Sequence, residues 1–121
     1  MNKATDPAAL LEGALIDALG AECLLGEDAK TLFSTDVYGG EIAPALAVRP
    51  QTQEHVADAV RIATTAGWAI TQRGGGMSYT GGYLPTQPNT VMLDLSGLNR
   101  IVSINEDDLV ITVEAGVTWQ Q

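Results

Sequence analysis

The sequence predicts an α+β fold, and three observations lead to it. Two segments carry apolar residues at helical spacing, short apolar runs follow each of them, and the last third alternates like an antiparallel hairpin. The first helix begins at Asp6-Pro7, because aspartate caps exposed amides and proline at the first helical position wastes no donor. The helical pattern ends at Gly20, and its apolar positions are Leu11, Ala14, Leu15, Ala18 and Leu19.

The middle of the chain is less regular. Residues 21–47 are predicted to be mostly loop, since Gly39-Gly40 and Pro44 interrupt any periodic pattern. Within that region, Ala45 to Val48 is predicted to be a short strand that Pro50 closes.

A second helix and a strand follow. Thr52 is the expected N-cap and Gly67 the stop, with one apolar face between them. Trp68 to Gln72 is predicted to be a strand that runs into a glycine cluster. The order strand, helix, strand predicts a right-handed crossover that joins parallel neighbours.

The last third changes to an antiparallel pattern. Val91 to Leu95 is predicted to be a buried strand, and Ile101 to Ile104 pairs with Leu109 to Ala115 around an acidic turn. Leu109, Ile111 and Val113 share one face of the last strand. A strand this apolar needs a neighbour or a cover, so we expect the sequence to be part of a longer protein and the open sheet edge to favour homo-oligomers.

Composition restricts the classes of partner. The 121 residues have the size of one small domain, and the net charge is −9. The six basic residues are scattered, so binding to nucleic acid or to an anionic membrane surface is not expected. No run is long enough to span a bilayer, and the first residues do not form a signal peptide, so we expect a cytoplasmic protein. The single cysteine, Cys23, has no nearby histidine in the sequence and is predicted to be a small hydrophobic residue.

The glycine cluster is the main candidate site. Five of the thirteen glycines lie between positions 74 and 82. Successive glycine amides can point at one centre and hold a phosphate through hydrogen bonds alone. Ser78 and Thr80 add hydroxyl groups, and Arg73 adds a charge at the rim.

Two common nucleotide motifs do not match this cluster. A P-loop requires a lysine followed by Ser or Thr, and the cluster contains no lysine. The dinucleotide motif G-x-G-x-x-G would place Tyr79 at its third glycine, and Pro85 prevents the long helix that this motif opens. On the glycine pattern alone, phosphate binding and a flexible surface loop remain open alternatives.

Other reactive residue types do not assemble into a predicted site. His55, the single histidine, is expected to be a solvated helix residue, and no metal site is expected. The acidic run Glu106 to Asp108 lacks calcium-site spacing and is predicted to be a solvated turn. Tyr79 and Tyr83 either line a cofactor channel or pack under the glycine cluster. No catalytic residue is identified.

Four segments in register resemble the FAD-binding domains of the vanillyl-alcohol oxidase and p-cresol methylhydroxylase type, in the glycolate oxidase and D-lactate dehydrogenase branch. The third of them is the most specific. They are Ser34 to Tyr38 with Ala47 to Pro50, the helix Thr52 to Gly67, the cluster Arg73 to Gly82, and Asp94 to Ile101 leading to Val113 to Val117.

This resemblance implies the roles of the candidate residues. The cluster would wrap the FAD pyrophosphate through main-chain amides, with Gly74, Gly75, Gly76, Met77 and Ser78 as the main contacts. Thr80, Gly81 and Gly82 would continue toward the flavin, and Gly116 and Val117 would touch its other side. Some members attach flavin through histidine or cysteine. Here Met77 and Ser78 stand at the corresponding positions, which implies non-covalent FAD.

The resemblance also implies a domain division and a function. Residues 1–30 would be a helical lead-in, and residues 31–121 would be the first part of the FAD-binding domain, shortened at its C-terminal end. The expected function is the FAD-binding portion of an oxidoreductase for a small 2-hydroxy acid or related alcohol, inactive without its remaining parts. A non-catalytic module that binds a nucleotide or flavin, or a partner chain, is the alternative.

Overall fold

The computed structural model describes residues 6–37 and 39–121. Tyr38, the last residue of the motif that begins at Ser34, lies outside the described residues. The residues before Asp6 also lie outside them, and the signal-peptide prediction depends on those residues. The fold is α+β, as predicted. Three helices and a parallel sheet come first, and an antiparallel hairpin follows them.

The elements have the following bounds. The helices are α1 (Pro7–Leu19), α2 (Glu27–Leu32) and α3 (Gln53–Thr65), and the strands are β1 (Leu46–Val48), β2 (Ala69–Arg73), β3 (Thr90–Asp94), β4 (Ile101–Asn105) and β5 (Val110–Val113). The predicted caps are confirmed, because the Asp6 carboxylate accepts from the Ala8 amide and the Thr52 hydroxyl accepts from the His55 amide, both at 3.1 Å.

Strand order differs from the prediction. Both β1 and β2 run parallel to β3, which lies between them, so the β1-α3-β2 crossover does not join neighbours. All five residues of β3 are buried. A strand buried along its whole length is stable in the centre of a sheet, and this is the physical reason for the order β1-β3-β2.

The sheet has a different cover on each face. Alternate residues of β1 and β3 pack against α1 and α3 in one apolar cluster that includes Val48, Val91 and Leu93. The opposite residues pack with Phe33 and Tyr83 in a second, smaller cluster. This second face of the sheet therefore supports Tyr83, which directly follows the glycine cluster, and the more distant segment around Phe33.

The prediction of a loop across residues 21–47 is partly wrong. A 3-10 turn forms at Ala21–Cys23, and α2 occupies six residues. Helix α2 has no side-chain N-cap and fewer than two turns, so the sequence offers no periodicity by which to recognise it. Its position matters because its C-cap residue is Phe33, which is buried and packs against Arg73 at the start of the glycine cluster.

The predicted hairpin is confirmed, and it is exposed on both faces. Every residue of β4 and β5 is exposed, including Ile104 and Ile111, which face each other across the strands. In the turn, the Asn105 side chain accepts from the Asp108 amide at 3.0 Å, and Leu109 has a left-handed φ of 55°. At the open end, Arg100 and Glu114 are joined by an ion pair of 2.7 Å.

Candidate functional site

The glycine cluster lies at the carboxyl ends of the parallel strands. Residues 74–82 follow β2 directly, and the C-terminal residues of β2 and β3, Arg73 and Asp94, are register partners. This edge is where open α/β sheets bind ligands. Gly76 and Gly81 have φ values of +79° and +68°, which side chains rarely adopt, so glycine is required at both.

The first half of the cluster leaves its backbone amides without protein partners. In the part of the chain that the structure describes, the amides of residues 75–78 donate no hydrogen bond to another protein atom. Gly75 and Met77 are exposed, and the Met77 side chain extends into solvent. Consecutive amides of this kind are suited to hold an anion.

The second half uses its amides within the protein. The Ser78 hydroxyl accepts from the amides of Thr80 and Gly82, at 3.4 and 3.2 Å. The Asp36 carboxylate accepts from the Gly81 amide at 3.1 Å. Ser78 thus bends the chain back on itself, and Asp36 fixes the bend to a distant segment.

Arg73 and Tyr83 lie beneath the cluster. The Arg73 guanidinium is 4.5 Å from the centre of the Phe33 ring and 5.6 Å from that of Tyr83. A methyl group on Gly76 would overlap the guanidinium, so the two are in direct contact. The Tyr83 hydroxyl donates to the Thr35 carbonyl at 2.8 Å and lies 3.2 Å from the Gly76 carbonyl. Tyr83 is buried, so it packs under the cluster, which is one of the two alternatives that the sequence left open. Tyr79 is exposed.

The second predicted segment, at Gly116 and Val117, lies beside the first. A methyl group placed on Gly74 would be 3.4 Å from the Ala115 carbonyl, and one on Gly75 would be 3.9 Å from Cγ2 of Thr118. Gly116 itself is buried, and its amide donates to the Leu98 carbonyl at 2.8 Å. The structure therefore brings the two predicted parts of the site together.

An ion pair at this edge of the sheet was not predicted as part of the site. Asp94, at the end of β3, is 2% exposed and accepts from Nε of Arg49 at 2.8 Å and from the Ser96 amide at 3.0 Å. The pair joins the ends of β1 and β3 and fixes the chain that leads toward the Gly116 turn. Arg49 and Asp94 both lie in segments that carry the family resemblance. That shared position in the motifs is the sequence signal by which the pair could have been found.

The expectation that Cys23 has no nearby histidine is wrong in three dimensions. Its sulfur lies 4.0 Å from Nδ1 of His55, a nitrogen that also accepts from the Gln51 amide at 3.3 Å. His55 is half-buried rather than fully solvated. Burial, assisted by the nearby Glu22 carboxylate, raises the pKa of the Cys23 thiol, so the thiol stays protonated and packs as a small hydrophobic residue.

Within residues 6–37 and 39–121, no cluster of three histidine, cysteine or acidic residues has the geometry to hold a metal ion. No helix there combines the length and the apolarity needed to cross a bilayer.

Comparison with known families identifies the family of the chain. The model of the FAD-binding domain family matches residues 44–121, which include β1, the glycine cluster and the Gly116 turn. The chain belongs to the FAD-binding domain family. The cluster is chemically compatible with an anionic cofactor, because the amides of residues 75–78 make no hydrogen bond among the described residues and Gly76 and Gly81 have positive φ.

Curated relatives of this FAD-binding domain are much longer proteins. This chain is 31% identical over 93 residues to the mitochondrial D-lactate dehydrogenase (cytochrome) of Kluyveromyces lactis, and the match covers 75% of the chain. It is 34% identical over 92 residues, 74% of the chain, to the mitochondrial D-lactate dehydrogenase (cytochrome) 1 of Saccharomyces cerevisiae. The match covers 16% of each relative.

Solved structures confirm the fold at the level of the p-cresol methylhydroxylase type. With p-cresol methylhydroxylase the TM-score is 0.80 at 26% identity, over 95% of this domain and 23% of that chain. With 4-ethylphenol oxidase from Gulosibacter chungangensis it is 0.79 at 28% identity, over 93% and 23%. The domain therefore has the fold of the N-terminal α/β part of that type of FAD-binding domain.

Proposed function

We propose that residues 75–78 hold the pyrophosphate of FAD. The observation that carries the proposal is the row of consecutive amides that make no hydrogen bond among the described residues, located at the carboxyl edge of a parallel sheet. Amides suit this chain in particular, because its net charge of −9 would otherwise disfavour a polyanion. Gly74 and Gly76 allow the backbone to approach the phosphates closely.

The other candidate residues support or extend this contact. Arg73 supplies a positive charge from beneath Gly76 rather than from an exposed rim, and its Nε is buried without a partner among the described residues. Thr80, Gly81 and Gly82 have their amides engaged, so their contribution along the cofactor comes from side-chain and carbonyl atoms. The turn of Gly116 and Val117 lies beside Gly74 and Gly75. Gly116 is buried and serves in packing, so Val117 is the residue of this turn that would contact FAD.

For the whole protein we propose an FAD-dependent oxidoreductase that acts on a small 2-hydroxy acid. The named relatives are D-lactate dehydrogenases, and their similarity extends over three quarters of this chain. Bound FAD would accept a hydride, while the described residues bind and orient its pyrophosphate. Met77 and Ser78 have no side chain that attaches flavin, in line with non-covalent binding. The cytoplasmic location expected from the sequence stays a prediction.

The binding proposal is tested by calorimetric titration of the chain with FAD. We expect saturable binding by the wild type. The affinity should be at least about tenfold lower in Gly75→Val, because a branched side chain would stand where the pyrophosphate approaches. Gly75 is suitable because its surroundings are open, so the variant should fold. Ser78 is left unchanged because its hydroxyl holds two amides of the cluster.

A matched control separates loss of the site from loss of the fold. Gly26→Val makes the same substitution at an exposed glycine before α2, where no atom lies within 4 Å of an added Cβ. It should bind FAD as the wild type does. Equal affinities for Gly75→Val and Gly26→Val would contradict the assignment of the pyrophosphate to residues 75–78.

The enzymatic proposal is tested separately, on the protein that contains this chain with its remaining domains. Addition of D-lactate under anaerobic conditions should bleach the flavin absorbance, since hydride transfer reduces the ring. An unchanged flavin spectrum across a series of 2-hydroxy acids would exclude that substrate class.

A further inference from the structure

The segment Thr35 to Val37 contacts the glycine cluster at two points and the adjacent Tyr83 at a third. The Asp36 carboxylate accepts from the Gly81 amide, and the Thr35 carbonyl accepts from the Tyr83 hydroxyl at 2.8 Å. The Val37 amide donates to the Ser78 carbonyl at 3.4 Å. This segment precedes the part of the chain that the family model matches, which begins at residue 44.

The contacts divide the cluster into two functional halves. The amides of residues 80–82 are satisfied by Ser78 and Asp36, whereas those of residues 75–78 make no hydrogen bond among the described residues. A carboxylate at hydrogen-bond distance from Gly81 also repels a second anion from that half. The Asp36 carboxylate thus occupies the Gly81 amide, and residues 75–78 remain as the place where the phosphates of a ligand can bind.

We propose that Asp36 is a positioning residue for the FAD pyrophosphate, acting through Gly81 and not through contact with the cofactor. Gly81 has a φ of +68°, and the hydrogen bond from its amide to Asp36 fixes that conformation in the unliganded protein. With the second half fixed, the amides of residues 75–78 keep their orientation, and FAD binding does not have to order them. The inference rests on the proposed binding of FAD.

The first experiment needs no FAD. Amide hydrogen exchange at Gly81 is measured by NMR in the wild type, Asp36→Ala and Asp36→Asn. Asparagine retains an acceptor oxygen without the charge, so it should preserve the protection of Gly81. Asp36→Ala removes the acceptor, and exchange at Gly81 should become about tenfold faster.

The second experiment measures FAD affinity by calorimetry in the same variants. We expect the Kd to rise about tenfold in Asp36→Ala and to stay within about threefold of the wild type in Asp36→Asn. Asp17→Ala is the control for the loss of a carboxylate, because Asp17 is an exposed residue of α1, which packs on the opposite face of the sheet. It should change neither measurement.

The outcomes separate this inference from the proposed function. If the wild type binds FAD and Asp36→Ala leaves either the exchange of Gly81 or the Kd unchanged, the inference alone is wrong. Weak binding in both Asp36→Ala and Asp36→Asn would also overturn it, because the hydrogen bond that asparagine retains would then not be what positions the cluster. A wild type that does not bind FAD contradicts the proposed function and the FAD part of the inference together.

Discussion

Single glycines in this protein serve two different purposes. Gly76 and Gly81 have positive φ, so they are needed for the path of the backbone around the site. Gly116 has no such φ but is buried between the carbonyls of Leu95 and Leu98, which leave no space for a side chain. The same residue type thus shapes the binding surface at one place and packs the segment beside it at another.

The packing role of Gly116 gives a prediction at the level of one methyl group. Gly116→Ala should lower the free energy of unfolding by about 2–3 kcal/mol, because its Cβ would overlap the Leu95 carbonyl and force the backbone apart. Gly13→Ala is the control, since Gly13 lies in α1 with no atom within 4 Å of an added Cβ. It should raise stability by about 0.5–1 kcal/mol. Urea unfolding checks both, and equal effects of the two substitutions would refute the packing account.

At the level of elements, side-chain bonds close the hairpin at its open end. The Glu114 carboxylate accepts from the backbone amide of Arg100 at 2.8 Å and from its guanidinium at 2.9 and 2.7 Å. Since β4 and β5 are exposed on both faces and lack the core contacts that a sheet usually has, these bonds add to the backbone pairing of the two strands. The side-chain hydrogen bond from Arg100, and then the backbone one, lowers the pKa of Glu114.

The lowered pKa predicts a dependence on pH. Folding favours the ionised carboxylate, so its contribution is complete above the ordinary pKa of 4.5 and is lost as the pH falls through the lower folded value. The wild type should therefore melt at a higher temperature than Glu114→Gln at pH 7, and the difference should shrink toward zero below pH 4.5. Thermal unfolding by circular dichroism between pH 7 and about pH 3 measures it. A difference that does not change with pH would contradict the ion-pair explanation.

At the level of the whole molecule, apolar surface is concentrated in the hairpin. Ile104 and Ile111 are 62% and 58% exposed, and a groove of about 620 Å³ lies between the hairpin and Trp119. Exposed apolar patches of this kind mark surfaces that associate. The homo-oligomer expected from the sequence stays a prediction, and this surface is where we expect it to form.

Light scattering over a range of protein concentrations tests the association. The wild type should increase in average mass with concentration, because pairing of the hairpins removes apolar surface from water. The double variant Ile104→Lys, Ile111→Glu should remain monomeric, since it places charges on that surface while keeping an attractive pair across the strands. A wild type that is monomeric throughout would contradict the prediction.

The sequence by itself determined the elements that depend on local order. The helices around Leu15 and Ala59, the buried strand predicted at Val91 to Leu95 and observed at Thr90–Asp94, and the hairpin follow from apolar patterning and caps, which involve residues a few positions apart. The glycine cluster and the family resemblance could also be read directly from adjacent residues. Helix α2 was missed because six residues without a cap give no periodic signal.

The tertiary structure alone decided which atoms the site presents. The Gly81 amide is occupied by Asp36, 45 positions away, and Gly74 lies beside Ala115 because β2 and the Gly116 turn meet at one sheet edge. The central place of β3 and the contact of Cys23 with His55 are of the same kind. Periodicity indicates that a face is buried but not which residues bury it. The partners of a backbone amide are therefore fixed only when the whole chain has folded.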